Sequence, residues 1–129
     1  MAVHDGAEIL DITGPLGVFS TANALHAQSG GTEPLYRIQV AGETPDAVVR
    51  TASGMRLLTD TALGQCSGID TLLVAGGPAA TQAPQALVDW LREAAPLVRR
   101  VCSICTGAFI LARAGLLENR RATTHWLML

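Results

Sequence analysis

Two short, nearly unbroken apolar runs constrain the fold of this chain more than any other feature of its sequence. Residues 70–75 read DTLLVA and residues 100–104 read RVCSI, and between them residues 84–95 place apolar side chains at helical spacing. A strand that is apolar at successive positions is buried on both faces, as in a parallel sheet covered by helices. Parallel neighbours also need a long crossover, usually a helix. The sequence therefore predicts an α/β domain with a mostly parallel sheet.

The remaining elements are predicted from weaker patterns. Residues 36–40 (YRIQV) are typical of a strand, and residues 48–51 and 55–58 flank a Gly54 turn as a β-hairpin does. A helix is expected from about Pro15, which suits a first helical position, to the glycines at 30–31.

Composition excludes several classes of protein. The chain has 129 residues, 49% apolar and 16% charged, which indicates one folded domain and not a disordered segment. The net charge is −2 and all nine basic residues are arginine, so we expect no nucleic-acid binding by this chain alone. There is no basic signal-peptide start and no window of ~18 apolar residues, so we expect neither export nor a membrane span. Three cysteines, an odd number, are then expected as thiols in the cytoplasm.

The two ends predict an incomplete domain. Residues 1–3 leave a first strand of about three residues, where ~5–6 is usual. Residues 126–129 (WLML) end the chain on apolar side chains without a polar cap. We therefore expect residues 1–129 to form a single domain that is truncated at its C-terminus.

Residues 101–112 (VCSICTGAFILA) are the segment most indicative of chemistry. A β-branched strand changes into a helix with Cys105 at the junction, where the helix dipole favours a thiolate and where open α/β sheets bind ligands. The alternative is that Cys105 is a small buried residue. The Cys102-x-x-Cys105 spacing does not indicate a redox pair, because the first cysteine lies within the strand. A zinc site lacks its second pair of ligands, and Cys66 lies in a loop with no role, so we expect no metal.

Three further candidates lie elsewhere. The strand at 70–75 ends in Gly76 and Gly77, whose backbone N–H groups are possible oxyanion donors, although turns also use this pair. Asp11 is flanked by apolar residues, so its pKa is expected to rise; a turn or solvent-facing role is the alternative. His125, taken alone, is interpreted as a structural hydrogen-bonding residue.

Four motifs together resemble the ThiJ/PfpI superfamily, whose members have a class I glutamine-amidotransferase-like domain. They are residues 5–15 (DGAEILDITGP), 72–77 (LLVAGG), 103–108 (SICTGA) and 120–126 (RRATTHW). The resemblance implies a flavodoxin-like three-layer α/β/α sandwich with a nucleophile-elbow cysteine, and it implies a homodimer.

The resemblance also assigns roles by motif. Cys105 matches the elbow cysteine, Asp11 the acidic residue that hydrogen-bonds its thiol, and Gly77 and Thr106 the donors of the oxyanion pocket. His125 matches a position near the cysteine. Because the elbow is followed by Thr106 and not by histidine, a Cys-His peptidase dyad is disfavoured.

Two branches of the superfamily are similar to this chain. One is the amidase-like sensor domain of AraC-type transcriptional regulators of the GlxA-like group, and the other is isocyanide hydratase. We expect a sensor that binds a small molecule at the Cys105 elbow, with DNA bound only through a helix-turn-helix that these residues lack. The alternative is a cysteine-dependent enzyme that hydrates an isocyanide to an N-formamide. Neither function implies a cofactor here.

Overall fold

The computed structural model describes residues 1–128. Its helices are α1 (Ile9–Gln28), α2 (Gln85–Ala94) and α3 (Gly107–Arg113), and short 3₁₀ turns add to them. Its strands are β1 (Ala41–Gly42), β2 (Val48–Arg50), β3 (Arg56–Leu58), β4 (Thr61–Ala62), β5 (Thr71–Val74) and β6 (Arg100–Ser103).

A parallel sheet organises the domain, as predicted. Strand β1 pairs with β4 and β5 pairs with β6, both in parallel. Ala2 joins the two pairs, because it bridges Ala41 on one side and Val74 on the other. The order across the sheet is thus β4, β1, Ala2, β5 and β6. The predicted strands at 70–75 and 100–104 are confirmed.

The strand predicted at residues 36–40 is displaced along the chain to β1. The hydrogen bonds explain the shift. The Met1 amino group donates to the Gln39 carbonyl at 2.8 Å, and the Ala41 N–H donates to the Met1 carbonyl at 2.8 Å. Pairing with the short first segment therefore determines which residues form β1. The YRIQV pattern contains no information about that pairing.

Two apolar clusters cover opposite faces of the sheet. Neighbouring residues of one strand point to opposite faces, and Val74 belongs to one cluster while Ala75 belongs to the other. The larger cluster holds Leu87 and Leu91 of α2 and Ile110 of α3, all at most 1% exposed. Burying such a side chain contributes about 1.5–3 kcal/mol. The three-layer α/β/α arrangement follows from this packing.

Helix α1 begins earlier than the sequence pattern predicts. It starts at Ile9 and not near Pro15, so Pro15 lies inside the helix. The Glu8 N–H donates to the Gly76 carbonyl at 2.9 Å, which fixes the chain just before the first turn. This tertiary contact outweighs the preference of proline for a first helical position. The predicted end is confirmed, because the helix ends at Gln28.

The predicted hairpin is confirmed. Strands β2 and β3 are antiparallel, and Gly54 has φ +83° in the turn between them. The hairpin is attached to the start of the chain, because the Arg50 N–H donates to Asp5 Oδ1 at 2.9 Å and the Ala52 N–H donates to the Ala7 carbonyl at 2.8 Å. Within residues 1–128, none of the helices combines the length and apolar character needed to cross a bilayer.

Candidate functional site

Cys105 occupies the turn between β6 and α3. Its φ is +51°, a left-handed conformation that costs a non-glycine residue roughly 1–2 kcal/mol. Two hydrogen bonds hold the turn: the Ile104 N–H donates to the Val74 carbonyl at 2.9 Å, and Thr124 Oγ1 donates to the Cys105 carbonyl at 2.9 Å. The half-buried thiol is therefore held in a strained turn at the carboxyl edge of the sheet.

The turn after β5 touches this elbow closely. A Cβ on Gly76 would lie 2.6 Å from both the Gly107 nitrogen and the Ile104 carbonyl oxygen. Gly77 has φ +145°, and a Cβ there would lie 2.5 Å from the Gly6 carbonyl oxygen. Only glycine lets the elbow, the turn after β5 and the segment before α1 approach this far. The structure thus brings together the two glycine candidates and the elbow.

Thr106 fixes the position of Gly77. Its hydroxyl accepts the Gly77 N–H at 2.7 Å and donates to the Gly77 carbonyl at 2.8 Å, both in buried surroundings. The Gly77 N–H is therefore satisfied within the protein. Its role as an oxyanion donor stays a prediction, and that role requires the Thr106 hydroxyl to release it.

Asp11 lies in the first turn of α1 and belongs to the same group. Burial raises the pKa of its carboxyl, and the charge of Glu8 adds to the effect. The Gly76 backbone amide, the Cys105 side chain and the proximity of His125 act in the opposite direction. Asp11 Oδ2 is buried and has no hydrogen-bond partner among residues 1–128. The site therefore contains an oxygen able to bind a donor group of a ligand.

His125 lies close enough to influence Asp11, so the structure brings it to the site. The Leu127 N–H donates to His125 Nδ1 at 3.3 Å, and the imidazole stacks on Trp126 with ring centroids 5.8 Å apart. An Nδ1 that accepts a hydrogen bond carries no proton, which places the proton of the neutral ring on Nε2.

The other cysteines do not join this group. Cys102 lies within β6, paired in register with Leu73 of β5. Cys66 follows a 3₁₀ turn, and burial raises the pKa of its thiol. It lines a cavity of about 600 Å³ with Met1, Asp70 and Arg99. Those residues lie where strands begin, so this cavity is at the sheet edge opposite the elbow.

Sequence reasoning missed two residues of the site. Glu8 precedes Asp11 by three positions, one helical turn, and its charge raises the pKa of Asp11. Thr124 bonds the Cys105 carbonyl. In the sequence, Glu8 could have been identified as a charged residue one helical turn before Asp11. Thr124 could have been identified as a hydroxyl residue next to His125. In the part of the chain that the structure describes, no three His, Cys, Asp or Glu side chains are grouped to hold a metal ion.

The fold and site define a class: an α/β sandwich with a cysteine on the strand-to-helix turn and an acidic residue beside it. The chain belongs to the DJ-1/PfpI family, whose model matches residues 1–129.

Three relatives show the range of the family. A protein from the cpoL 5′ region of Streptomyces lividans is 42% identical over 126 residues, covering 96% of this chain and 84% of that protein. Isonitrile hydratase of Pseudomonas putida is 33% identical, covering 91% of this chain and 47% of the enzyme. The HTH-type transcriptional regulator CdhR of Pseudomonas aeruginosa is 34% identical, covering 94% of this chain and 34% of the regulator. The chain thus spans half or less of the hydratase and the regulator.

Solved structures agree on the fold. An AraC family transcriptional regulator from Pseudomonas putida superposes with a TM-score of 0.76 at 23% identity, over 98% of this chain and 65% of that one. A ThiJ/PfpI family protein from Pseudomonas syringae gives a TM-score of 0.75 at 24% identity, over 98% of this chain and 49% of that one.

Proposed function

We propose that this chain is the ligand-sensing domain of an AraC-type transcriptional regulator, and that its small-molecule ligand binds at the Cys105 elbow. The main support for this proposal is which polar atoms of the site already have hydrogen-bond partners. The Thr106 hydroxyl satisfies the Gly77 N–H, while Asp11 Oδ2 is buried without a partner. A site in which the Gly77 N–H is already occupied and a buried acceptor oxygen has no partner favours holding a ligand over stabilising a negative intermediate.

Each side chain has a role in this proposal. Asp11 accepts a hydrogen bond from the ligand through Oδ2, which satisfies an otherwise costly buried atom. His125 offers its Nε2–H to an acceptor of the ligand or to Asp11. The Cys105 side chain and the Gly76 N–H both act on the Asp11 carboxyl, so a ligand bound to Asp11 lies against the elbow. These roles need no cofactor and no metal.

The proposal includes two further points. We infer a cytoplasmic protein, which the three free thiols support because such thiols persist in a reducing compartment. We also infer a homodimer, as the resemblance to the superfamily implies. DNA would be contacted only by a helix-turn-helix outside these residues, as the name of the CdhR relative suggests.

A second function is favoured by a different observation. The positive φ of Cys105 is backbone strain of the kind that clusters at functional sites, and isonitrile hydratase is among the relatives. In this alternative the Cys105 thiolate adds to the terminal carbon of an isocyanide, and the same carbon takes a proton, which gives a thioformimidate. Water then adds its oxygen to that carbon while the nitrogen takes a proton. The C–S bond breaks, the thiolate leaves with its electron pair, the added hydroxyl loses its proton, and an N-formamide is released. Asp11 carries the protons between these groups.

Binding and turnover measurements separate the two functions. For binding, the thermal midpoint is measured with panels of small amides, carboxylates and primary amines. A ligand at one hundred times its Kd stabilises the fold by about 2.7 kcal/mol, a rise of several degrees. The sensor proposal expects such a rise in the wild type and a smaller one in Asp11→Asn, with Arg120→Gln as a surface control.

For turnover, cyclohexyl isocyanide is supplied and the formamide product is measured. Turnover that disappears in Cys105→Ala supports the enzyme. Absence of turnover together with Asp11-dependent stabilisation supports the sensor. A chain that neither turns over the isocyanide nor responds to any panel member contradicts both functions as assigned to these residues.

A further inference from the structure

Arg113, the last residue of α3, bonds the segment of chain that leads into α2. Its Nη1 donates to the Ala83 carbonyl at 2.7 Å and to the Thr81 carbonyl at 3.4 Å, and its Nη2 donates to Gln85 Oε1 at 3.2 Å. None of the carboxylates in residues 1–128 forms an ion pair with Arg113. The guanidinium therefore directs its planar fork of donors at backbone carbonyls and one amide oxygen.

A ring of hydrogen bonds with α2 holds Arg113 in this position. The Arg113 carbonyl accepts a hydrogen bond from Arg92 Nη2 at 2.8 Å, and Arg92 Nη1 pairs with Asp89 Oδ1 at 2.7 Å. Gln85 Nε2 donates to the same Asp89 oxygen at 2.9 Å, which leaves Gln85 Oε1 to accept from Arg113. Exposed pairs of this kind are weak one at a time, but the closed ring restricts the orientations open to the Arg113 side chain.

The other end of the bonded segment lies at the candidate site. The Gly77 carbonyl accepts the Ala80 N–H at 3.0 Å and the Thr106 hydroxyl at 2.8 Å. Ala80 is 1% exposed and packs in the larger apolar cluster, to which α3 also contributes. Residues 77–83, called the 77–83 segment below, therefore run from the Thr106 hydroxyl at the start of α3 to Arg113 at its end.

Helix α3 is thus bonded to the 77–83 segment at both of its ends. Thr106 is the N-cap of this helix and Arg113 is its last residue, so the two points of attachment are ~10 Å apart along the axis at a rise of ~1.5 Å per residue. The Thr106 hydroxyl is also the group that accepts the Gly77 N–H at 2.7 Å. Movement of the segment away from α3 would separate this N–H from the hydroxyl, and the Arg113 hydrogen bonds oppose that movement.

We propose that Arg113 is a positioning residue of the candidate site. Its hydrogen bonds to the Thr81 and Ala83 carbonyls keep the 77–83 segment closed on α3, and the closed segment keeps the Gly77 N–H on the Thr106 hydroxyl. This inference rests on the proposed function only in treating the elbow as the site. Its test uses neither a ligand nor an isocyanide, so its failure leaves the proposed function standing.

The carboxyl of Asp11 reports whether the segment is closed. The Gly76 backbone amide lowers the pKa of this carboxyl, and Gly76 immediately precedes the segment. When the segment opens, the amide moves with it, and the pKa of Asp11 rises. The charge of Arg113 is not among the causes that act on Asp11 directly, so such a rise reaches the site through the backbone. The other groups that act on Asp11 lie outside the segment, and they are Glu8, Cys105 and His125.

The test compares Arg113→Met with the wild type by NMR on the full chain. Methionine keeps an unbranched side chain and removes every donor. Amide hydrogen exchange at Gly77 is expected to accelerate at least tenfold, because local opening of the segment exposes its N–H. Exchange at Ile104, whose N–H is bonded to β5, is expected to stay within twofold. The midpoint of the Asp11 carboxyl titration is expected to move to higher pH. Arg120→Met removes an exposed arginine elsewhere and is expected to change none of these quantities.

Arg113→Lys is a second variant that keeps the charge and lacks the planar fork of donors. It is expected to accelerate exchange at Gly77 at least threefold, and it decides the test by itself if the methionine variant does not fold. Acceleration at Gly77 below threefold in the folded variants overturns the proposal. Equal acceleration at Gly77 and Ile104 also overturns it, because Arg113 then stabilises the whole domain and not the segment. An Asp11 titration that does not move overturns the effect of Arg113 on the site.

Discussion

Replacing Thr106 by valine tests how the site is held together. Valine keeps the shape of threonine and removes the hydroxyl that binds both polar atoms of the Gly77 backbone. Two hydrogen bonds contribute about 1 kcal/mol each, and a buried N–H left without a partner costs a further ~1–3 kcal/mol. Some of this is recovered by burying a methyl group. We expect a net loss of about 2–4 kcal/mol in the free energy of unfolding.

The assay is urea denaturation followed by circular dichroism, supported by a thermal scan. For a domain of this size 1 kcal/mol corresponds to ~4 °C in the midpoint, so Thr106→Val is expected to melt roughly 8–16 °C lower. Thr106→Ser keeps the hydroxyl and is the matched control, with an expected loss below about 1.5 kcal/mol. Amide exchange at Gly77 is expected to accelerate in Thr106→Val and not in Thr106→Ser.

Two results would refute this reasoning. Thr106→Val within about 0.5 kcal/mol of the wild type means that the hydroxyl does not hold the glycine turn. A loss in the serine variant as large as that in the valine variant means that the methyl group of Thr106 stabilises the elbow as much as its hydroxyl does.

Three further predictions concern glycine packing and titration. Gly76→Ala is expected to lose at least about 3 kcal/mol in urea denaturation, because its Cβ would meet backbone atoms at 2.6 Å; Gly64→Ala, with open space around it, is expected to stay within ~1 kcal/mol, and equal losses would contradict the packing argument. The raised pKa of Asp11 favours folding while the carboxyl is protonated, and this contribution is lost as pH rises from the unfolded value of 3.8 through the raised pKa. Asp11→Asn should therefore gain stability relative to the wild type between pH 3.5 and pH 7 in thermal scans, and an unchanged difference across that range would refute the shift. Arg99 and Thr71 lower the pKa of Asp70 to about 2, so its carboxyl signal in an NMR titration should have a midpoint near 2, which Arg99→Gln should move toward 3.8; the pair is exposed and its stabilisation, present above the unfolded pKa, is lost as pH falls through about 2.

Much of the fold could be predicted from local patterns. The runs at β5 and β6, the amphipathic α2 and the hairpin turn at Gly54 are confirmed in type and approximate position. A strand buried on both faces, a helix buried on one face and a tight turn each require particular residue types at neighbouring positions. A short stretch of sequence is therefore enough to predict each of these elements. The start of α1 was wrong, because the bond between Glu8 and Gly76 joins distant residues and overrides the preference of Pro15.

Some features of the candidate site could also be predicted from the sequence, and others depend on tertiary contacts. Sequence by itself identified Cys105 at a strand-to-helix junction and the glycines after a buried strand, because both are features of one turn. Only the tertiary structure decided that the Thr106 hydroxyl occupies the Gly77 N–H, that Glu8 and His125 act on Asp11, and that Thr124 holds the elbow.

The hairpin shows the same division at the surface. The sequence alone places Val48 and Arg50 on either side of Val49, but which side chains they lie opposite depends on strand register. Only strand pairing sets Arg50 opposite Arg56 and directs both side chains outward. Short-range patterns determine which elements form, since propensity and burial act along neighbouring residues. Which side chains come into contact depends on how segments far apart in the sequence pack together, and local sequence patterns do not determine that packing.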